Sequence, residues 1–221
     1  MRSFSAFNRL LWVFFAFIAL LLAARMVYSG SIRYIFIVWN IFLGWIPYVL
    51  SGFFASYRKK EKWKQFVLFI SWLLFFPNAL YIVTDLIHLE EGTNVPLWYD
   101  AVLLFACSFA GLVMAFVSLR KTEHYLKDVF GKKMLQFIMP VILFLGSFGV
   151  YLGRFQRWNS WDVIHNPLAL AMDIAERFIS PIDNIRTWAI TGILTALYSL
   201  LYLFMKIIPQ VFAENKNDRD S

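Results

Sequence analysis

Cysteine occurs once in the chain, at Cys107 inside a hydrophobic segment. An internal disulfide is therefore excluded, and so are metal centres built on cysteine thiolates. Charge is scarce too. Asp, Glu, Lys and Arg make up 16% of the 221 residues, where a soluble domain carries about 25%. Acidic residues are the rarer sign, 14 against 21 basic ones, for a net charge of +7. The basic residues form no single patch. They sit between hydrophobic runs, so they read as topology signals, and no nucleic-acid partner is implied. Alternation of polar and apolar residues is missing, which argues against strands. GxSxG, P-loop, HExxH and glycine-rich nucleotide signatures are absent as well. No cofactor and no metal follows from the sequence.

What is abundant is apolar surface. Hydrophobic residues reach 60%, with 24 Phe and 9 Trp, an excess that suits lipid better than water. Six hydrophobic stretches, at approximately 10–28, 34–55, 65–87, 98–119, 134–154 and 186–208, are long enough to cross a hydrocarbon core that takes about 20 helical residues. Backbone in lipid must bond internally, so helices are expected. The first stretch has a basic, apolar start like a signal peptide. It lacks a clear small-residue cleavage site before Arg25 and reads as a retained anchor helix. The expected fold is an all-α integral membrane protein, a single six-transmembrane-helix bundle whose first partner is the lipid bilayer.

Orientation follows from the loops. Segment 56–64 carries Arg58, Lys59, Lys60, Lys62 and Lys64, and segment 120–133 carries Arg120, Lys121, Lys127, Lys132 and Lys133. Segment 88–100 has no Lys or Arg but holds Glu90, Glu91 and Asp100. The positive-inside rule predicts an N-in/C-in protein of the cell membrane, with 209–221 as a polar cytoplasmic tail. Trp98, Tyr99, Trp158, Trp161 and Trp188 then fall at the outer boundary, where aromatic belts lie. Gly149 and Gly153 form a GxxxG, and Ala106, Cys107, Ala110 and Gly111 offer matching small residues, so the fourth and fifth helices are expected to pack together. In the longest loop, Asn166 and Pro167 mark a helix start. Residues 167–179 place Asp173, Glu176 and Arg177 largely opposite Leu168, Met172, Ala175 and Ile179. A helix this short is expected to lie in the outer interface, as a plain surface helix or as a lid.

Two clusters carry the polar chemistry. Asn78, Tyr81, Asp85 and His88 have offsets of 0, 3, 7 and 10, which stack them on one helix face over about 15 Å. Pro77 removes a donor to the Leu73 carbonyl, so a kink is expected nearby. The stripe is either a polar seam between helices or one wall of a functional cavity. Asp85 and His88 are its candidates for a general base. The second cluster closes the fifth helix: Tyr151, Arg154 and Trp158 share a face, followed by Arg157 and Asp162. Arginine suits bidentate contact with carboxylate or phosphate. Arg154 either pairs with Asp85 or, with Arg157, holds an anionic ligand. Asn40 needs a partner at similar depth, Asn78 or a single interhelical bond worth about 0.6 kcal/mol.

The residues FPNALYIVTDLIHL (76–89) and YLGRFQRWNSWD (151–162) resemble a family of bacterial multi-pass membrane proteins designated a domain of unknown function, DUF1361. The resemblance runs from about the second helix to the sixth. It implies a bacterial cytoplasmic-membrane protein and assigns no activity, substrate or catalytic residue. Three functions stay open. The first is binding or processing of an anionic, lipid-derived or small-molecule ligand at the outer face. Its residues are Asn78, Tyr81, Asp85, Tyr151, Arg154, Arg157, Trp158 and Asp162, with no identifiable nucleophile beside them. The second is a small-solute transporter, for which six helices are few and no inverted repeat is evident. The third is an accessory or assembly protein docking a protein partner through 155–165.

Overall fold

A computed structural model describes residues 2–54, 61–90 and 94–217. Arg58, Lys59, Lys60 and Glu91, read above as topology signals, lie outside the described residues, as do 218–221. Helix is the only regular structure among the described residues. The elements are α1 (Arg2–Ser29), α2 (Phe36–Gly52), α3 (Lys62–Tyr81), a 3-10 segment (Ile82–His88), α4 (Leu97–Phe155), α5 (Asp162–His165), α6 (Pro167–Ile179) and α7 (Ile185–Asn217). Among the described residues four helical stretches are long and apolar enough to cross a membrane: Ala6–Ser29, Lys62–His88, Leu97–Phe155 and Ile185–Phe212. Phe36–Gly52 is apolar but shorter. The hydrophobic stretches 98–119 and 134–154 both belong to α4, which is interrupted at Gly131 (φ 78°, ψ 168°).

Local rules explain the ends. Gly30 takes φ 64° and bonds its N–H to the Met26 carbonyl at 2.9 Å. A Cβ there would meet nothing within 4 Å, so the left-handed backbone is the reason for glycine at this helix stop. Pro167 opens α6, although the Asn166 side chain makes no capping bond. Pro77 does not break α3. The helix runs on to Tyr81 and then tightens into the 3-10 segment.

The chain divides into two compact units, Met1–Lys121 and Thr122–Ser221. In the first, α1 buries Leu11, Ile18, Leu22 and Arg25 on one face, while Leu10, Val13, Leu20 and Val27 stand exposed on the other. A water-soluble helix would carry polar residues on that second face; a helix apolar all round suits a membrane span. Trp72, Phe76, Leu103, Leu104 and Met114 are fully buried. The Trp72 indole N–H donates to Ser118 Oγ at 2.6 Å, and the Ser118 hydroxyl donates to the Pro47 carbonyl at 2.9 Å. This buried relay ties α3, α4 and α2 through groups that lipid could not satisfy.

Two glycines set the spacing around the 3-10 segment. A Cβ on Gly44 would lie 2.8 Å from Ile82 Cδ1 and 3.2 Å from Ala79 Cα. One on Gly111 would lie 2.8 Å from the Ala79 carbonyl oxygen and 2.9 Å from Ile82 Cβ. Close approach of backbones is what small residues give membrane helices, and here Gly111 gives it to the third hydrophobic segment. In the second unit, Phe148, Tyr151 and Leu152 form a core with Trp158, Leu170, Ile174 and Trp188 packed against it. Farther along α7, the Tyr202 hydroxyl donates to Glu123, and Lys206 pairs with the other carboxylate oxygen at 2.6 Å.

Gly111→Ala should destabilise the protein by about 1–3 kcal/mol, because its methyl group meets the Ala79 carbonyl and the Ile82 Cβ, neither of which is the far end of a flexible side chain. Thermal unfolding in detergent checks this; a variant as stable as wild type would mean that the close approach is not a constraint.

Candidate functional site

Among the described residues two arginines are buried, one in each unit. In the first, Arg25 on α1 forms a two-pronged pair with Asp100 on α4, Nε to Oδ1 at 2.7 Å and Nη2 to Oδ2 at 2.9 Å. The side chains are 2% and 0% exposed. The guanidinium lies 4.1 Å from the centroid of the Tyr34 ring. The Tyr34 hydroxyl donates to the His88 carbonyl at 2.8 Å, and the His88 ring sits 4.9 Å from Phe36. α1, the start of α2, the 3-10 segment and α4 are thus tied at one end. Outside that knot, Arg33 pairs with Glu90 on the surface. The hydrogen bond to Glu90 raises the already high pKa of Arg33, so the guanidinium stays charged at every physiological pH.

Asp85 is fully buried one turn deeper and accepts from Asn40 Nδ2 at 2.8 Å. The Asn40 amide therefore makes its interhelical bond with Asp85 and not with Asn78. Asn78 turns back on its own helix and donates to the Phe75 carbonyl at 3.0 Å. The stripe of four residues is cut by the change of helix type. A 3-10 turn takes three residues rather than 3.6, so Asp85 and Ile82 share the buried face. Tyr81 and His88 are only half-buried.

The second unit holds the other arginine, on α6. Arg177 Nη1 donates to both the carbonyl and the carboxylate of Asp173, and its side chain is 6% exposed. The Trp158 indole N–H donates to the other Asp173 oxygen at 2.7 Å. Arg177 also stands 5.9 Å from the Tyr151 ring centroid, and Thr187 lies against the Tyr151 hydroxyl. Gln156 Nε2 donates to that hydroxyl at 3.0 Å. Trp188 Nε1 is buried without a hydrogen-bond partner, and Arg177 Nε and Thr187 Oγ1 make no well-aligned bond, although Arg177 and Thr187 both lie within reach of the Tyr151 hydroxyl. Such orphans are rare in folded proteins and call for an acceptor.

Helix α6 is inside-out relative to a water-facing helix. Leu170, Asp173, Ile174 and Arg177 turn toward the unit, while Leu168, Met172 and Ile179 are 71%, 60% and 79% exposed. Asp173 and Arg177 are turned in with Leu170 and Ile174, while Glu176 is exposed together with the apolar Leu168, Met172 and Ile179.

The residues singled out in the sequence are thus distributed. Tyr151 and Trp158 meet through α6. Asp162 accepts from the backbone and side chain of Asn159 at 2.6 and 3.3 Å, which folds the turn before α5. Arg157 is exposed, with φ 63°, the one non-glycine residue with positive φ among the described residues. The following Trp158 N–H bonds back to the Leu152 carbonyl at 3.1 Å, so the left-handed residue serves to end the helix. Arg154 is half-buried and close enough to Tyr198 to influence it electrostatically. Sequence reasoning missed Arg25 as a site residue, since its partner is 75 positions away. It placed Arg177 on a polar helix face without assigning it a ligand. No three His, Cys, Asp or Glu side chains converge as metal ligands among the described residues.

Long helices with apolar outer faces and inward-turned charges define an all-helical membrane protein. A family model described as "Protein of unknown function (DUF1361)" matches residues 39–205, and the chain belongs to that family. Against curated proteins and against solved structures the chain gives no significant match.

Arg25→Ala would leave Asp100 charged and fully buried, at an expected cost of about 3–5 kcal/mol. The double change Arg25→Met, Asp100→Leu should recover most of that loss. Equal losses in the single and double variants, measured by chemical unfolding, would contradict a paired role. Arg157→Gly should stabilise by about 1 kcal/mol, because glycine takes the left-handed turn without a Cβ clash. A lower melting temperature would show that the Arg157 side chain supports the fold.

Proposed function

We propose that the protein crosses a bacterial cytoplasmic membrane six times with both ends inside, and binds an anionic, lipid-derived ligand at the outer face. The six-span reading is supported by α4, whose two arms on either side of Gly131 each exceed the roughly 20 residues a crossing takes. The 17 residues of α2 meet the lower limit of about 17. The orientation rests on the basic segments 56–64 and 120–133, set against the acidic 88–100.

The observation that carries the ligand reading is a set of buried donors short of acceptors: Trp188 Nε1 has none, and Arg177 and Thr187 share the Tyr151 hydroxyl without a well-aligned bond from Nε or Oγ1. All three can donate, and a phosphate or carboxylate presents several acceptor oxygens at once. Asp173 holds Arg177 in place and leaves Nε for the ligand. The site thus shifts from the sequence candidates Arg154 and Arg157 to Arg177, while Tyr151 and Trp158 remain in it. The apolar outward face of α6 would rest among acyl chains, which brings the site to the depth of a lipid headgroup. The donor set supplies binding and orientation; Asp85 and His88 belong to the other unit and are given no step.

Thr187→Val and Arg177→Lys separate ligand binding from structure. Valine removes an orphan hydroxyl at nearly constant shape, a change that costs nothing if the site holds no ligand. Lysine keeps a charge for Asp173 but loses Nε. The expected result in native mass spectrometry is a phosphate- or carboxylate-bearing species on wild type, depleted about tenfold or more in both variants. Folded variants carrying the same bound species as wild type would overturn the reading.

A further inference from the structure

The end of the first unit away from the Arg25–Asp100 pair holds a cavity of about 290 Å³. Asn8 lines it, 17 positions before Arg25 on α1, which puts the two places roughly 25 Å apart along the helix. Aromatic rings from α1 and α2 make most of the wall. Trp12 and Trp45 stand 6.4 Å apart, centroid to centroid, with their planes at 57°. Trp12 and Phe53 are 61% and 47% exposed, so the rim is apolar.

Hydrogen-bonding groups at the cavity are few, and most are engaged. The Tyr48 hydroxyl donates to Asn8 Oδ1. The Lys121 ammonium is buried against the Tyr48 ring, 4.3 Å from its centroid. It has its interactions there and is not a free cation for the cavity. What is left is the amide NH2 of Asn8. The side chain is half-buried, its oxygen is taken by Tyr48, and Nδ2 donates to no group among the described residues. The cavity is thus an aromatic box with one neutral donor.

That composition selects its occupant. An anion would lack a free cation. A plain hydrocarbon would leave the amide donor without an acceptor, which costs free energy at an apolar site. A phospholipid has acceptors, but small-molecule pockets begin at about 300 Å³, too little for two acyl chains. A flat neutral ring that bears carbonyl oxygens satisfies both demands: its face or edge packs on the aromatic wall, and a carbonyl accepts from Asn8.

We propose that this cavity binds the head of a membrane-dissolved isoprenoid quinone, a neutral ring with carbonyl acceptors and an apolar tail. One carbonyl oxygen accepts from Asn8 Nδ2, the ring packs against Trp45, and the tail leaves past Trp12 and Phe53. A mostly aromatic lining with a single placed polar group is the usual makeup of a small-molecule site. The proposal is one of binding, and it stands apart from the donor set around Arg177, which belongs to the other unit.

The test uses full-length, delipidated protein incubated with decylubiquinone, decylbenzene, monoolein or dioleoyl phosphatidylglycerol and read by native mass spectrometry. Decylbenzene has the ring without the carbonyls, and monoolein has a carbonyl and tail without the ring. Wild type should take up one decylubiquinone, with a preference of about threefold to tenfold over decylbenzene, the effect of one hydrogen bond. Asn8→Asp keeps an oxygen for Tyr48 but removes the NH2, and should lose that preference. A second variant guards against misfolding. Gly52 lines the cavity, and a Cβ there would meet nothing within 4 Å, so Gly52→Leu fills the space without a clash and should abolish the bound quinone. Decylbenzene, monoolein or phosphatidylglycerol bound as well as decylubiquinone, preference unchanged in Asn8→Asp, or quinone retained in Gly52→Leu would each overturn the proposal.

Discussion

The bond between Arg25 and Asp100 fixes the first unit, because neither charge can exist at that depth alone. Moving an ion of this size out of water costs several kcal/mol, and attraction offsets the cost only with good geometry. The two-pronged contact, closed by the Tyr34 ring, has that geometry. Sliding α1 by one turn would uncouple both charges. The register of α1 against α4 is therefore set by electrostatics, while Gly44 and Gly111 set how closely α2 and α4 hold the 3-10 segment. Asp85 follows from the same constraint. A carboxylate at 0% exposure needs donors, and Asn40 supplies one from α2.

The second unit repeats the grouping with different parts. An arginine, an aspartate and a tyrosine ring again come together, now as Arg177, Asp173 and Tyr151. The two groups differ in what is left over. Around Arg25 one nitrogen, Nη1, has no partner, and the guanidinium face is covered by Tyr34. Around Arg177 the unpartnered Nε is joined by the Thr187 hydroxyl and the Trp188 indole. The first arrangement is close to a finished structural joint. The second has more buried donors than well-aligned acceptors, and on that difference the proposed ligand site rests.

Much of this was legible in the sequence, and what was not has physical reasons. Hydrophobic length and composition identify the helices because lipid allows little else. Tyr151 emerged from helical spacing within α4, whereas Trp158 lies beyond its end at Phe155 and reaches the same cluster through the left-handed turn at Arg157. The same spacing argument misled beyond Tyr81, where the backbone tightens to three residues per turn and the row from Asn78 to His88 breaks. Arg25 read as the end of an anchor helix, since nothing local points across 75 positions to Asp100. In α6 the two opposed faces were visible, but not which one the protein covers. That choice depends on whether lipid or water lies outside, and the burial of Arg177 beside exposed Leu168 and Ile179 favours lipid.

An anion held by the donors around Arg177 would be visible directly. A structure of the protein in lipid nanodiscs, at a resolution that separates water from phosphate or carboxylate, tests it most directly. Non-protein density of that size is expected within about 3 Å of Arg177 Nε and Thr187 Oγ1, the range of a charge-assisted hydrogen bond. Side chains repacked so that these donors bond within the protein, or a lone water between them, would contradict it.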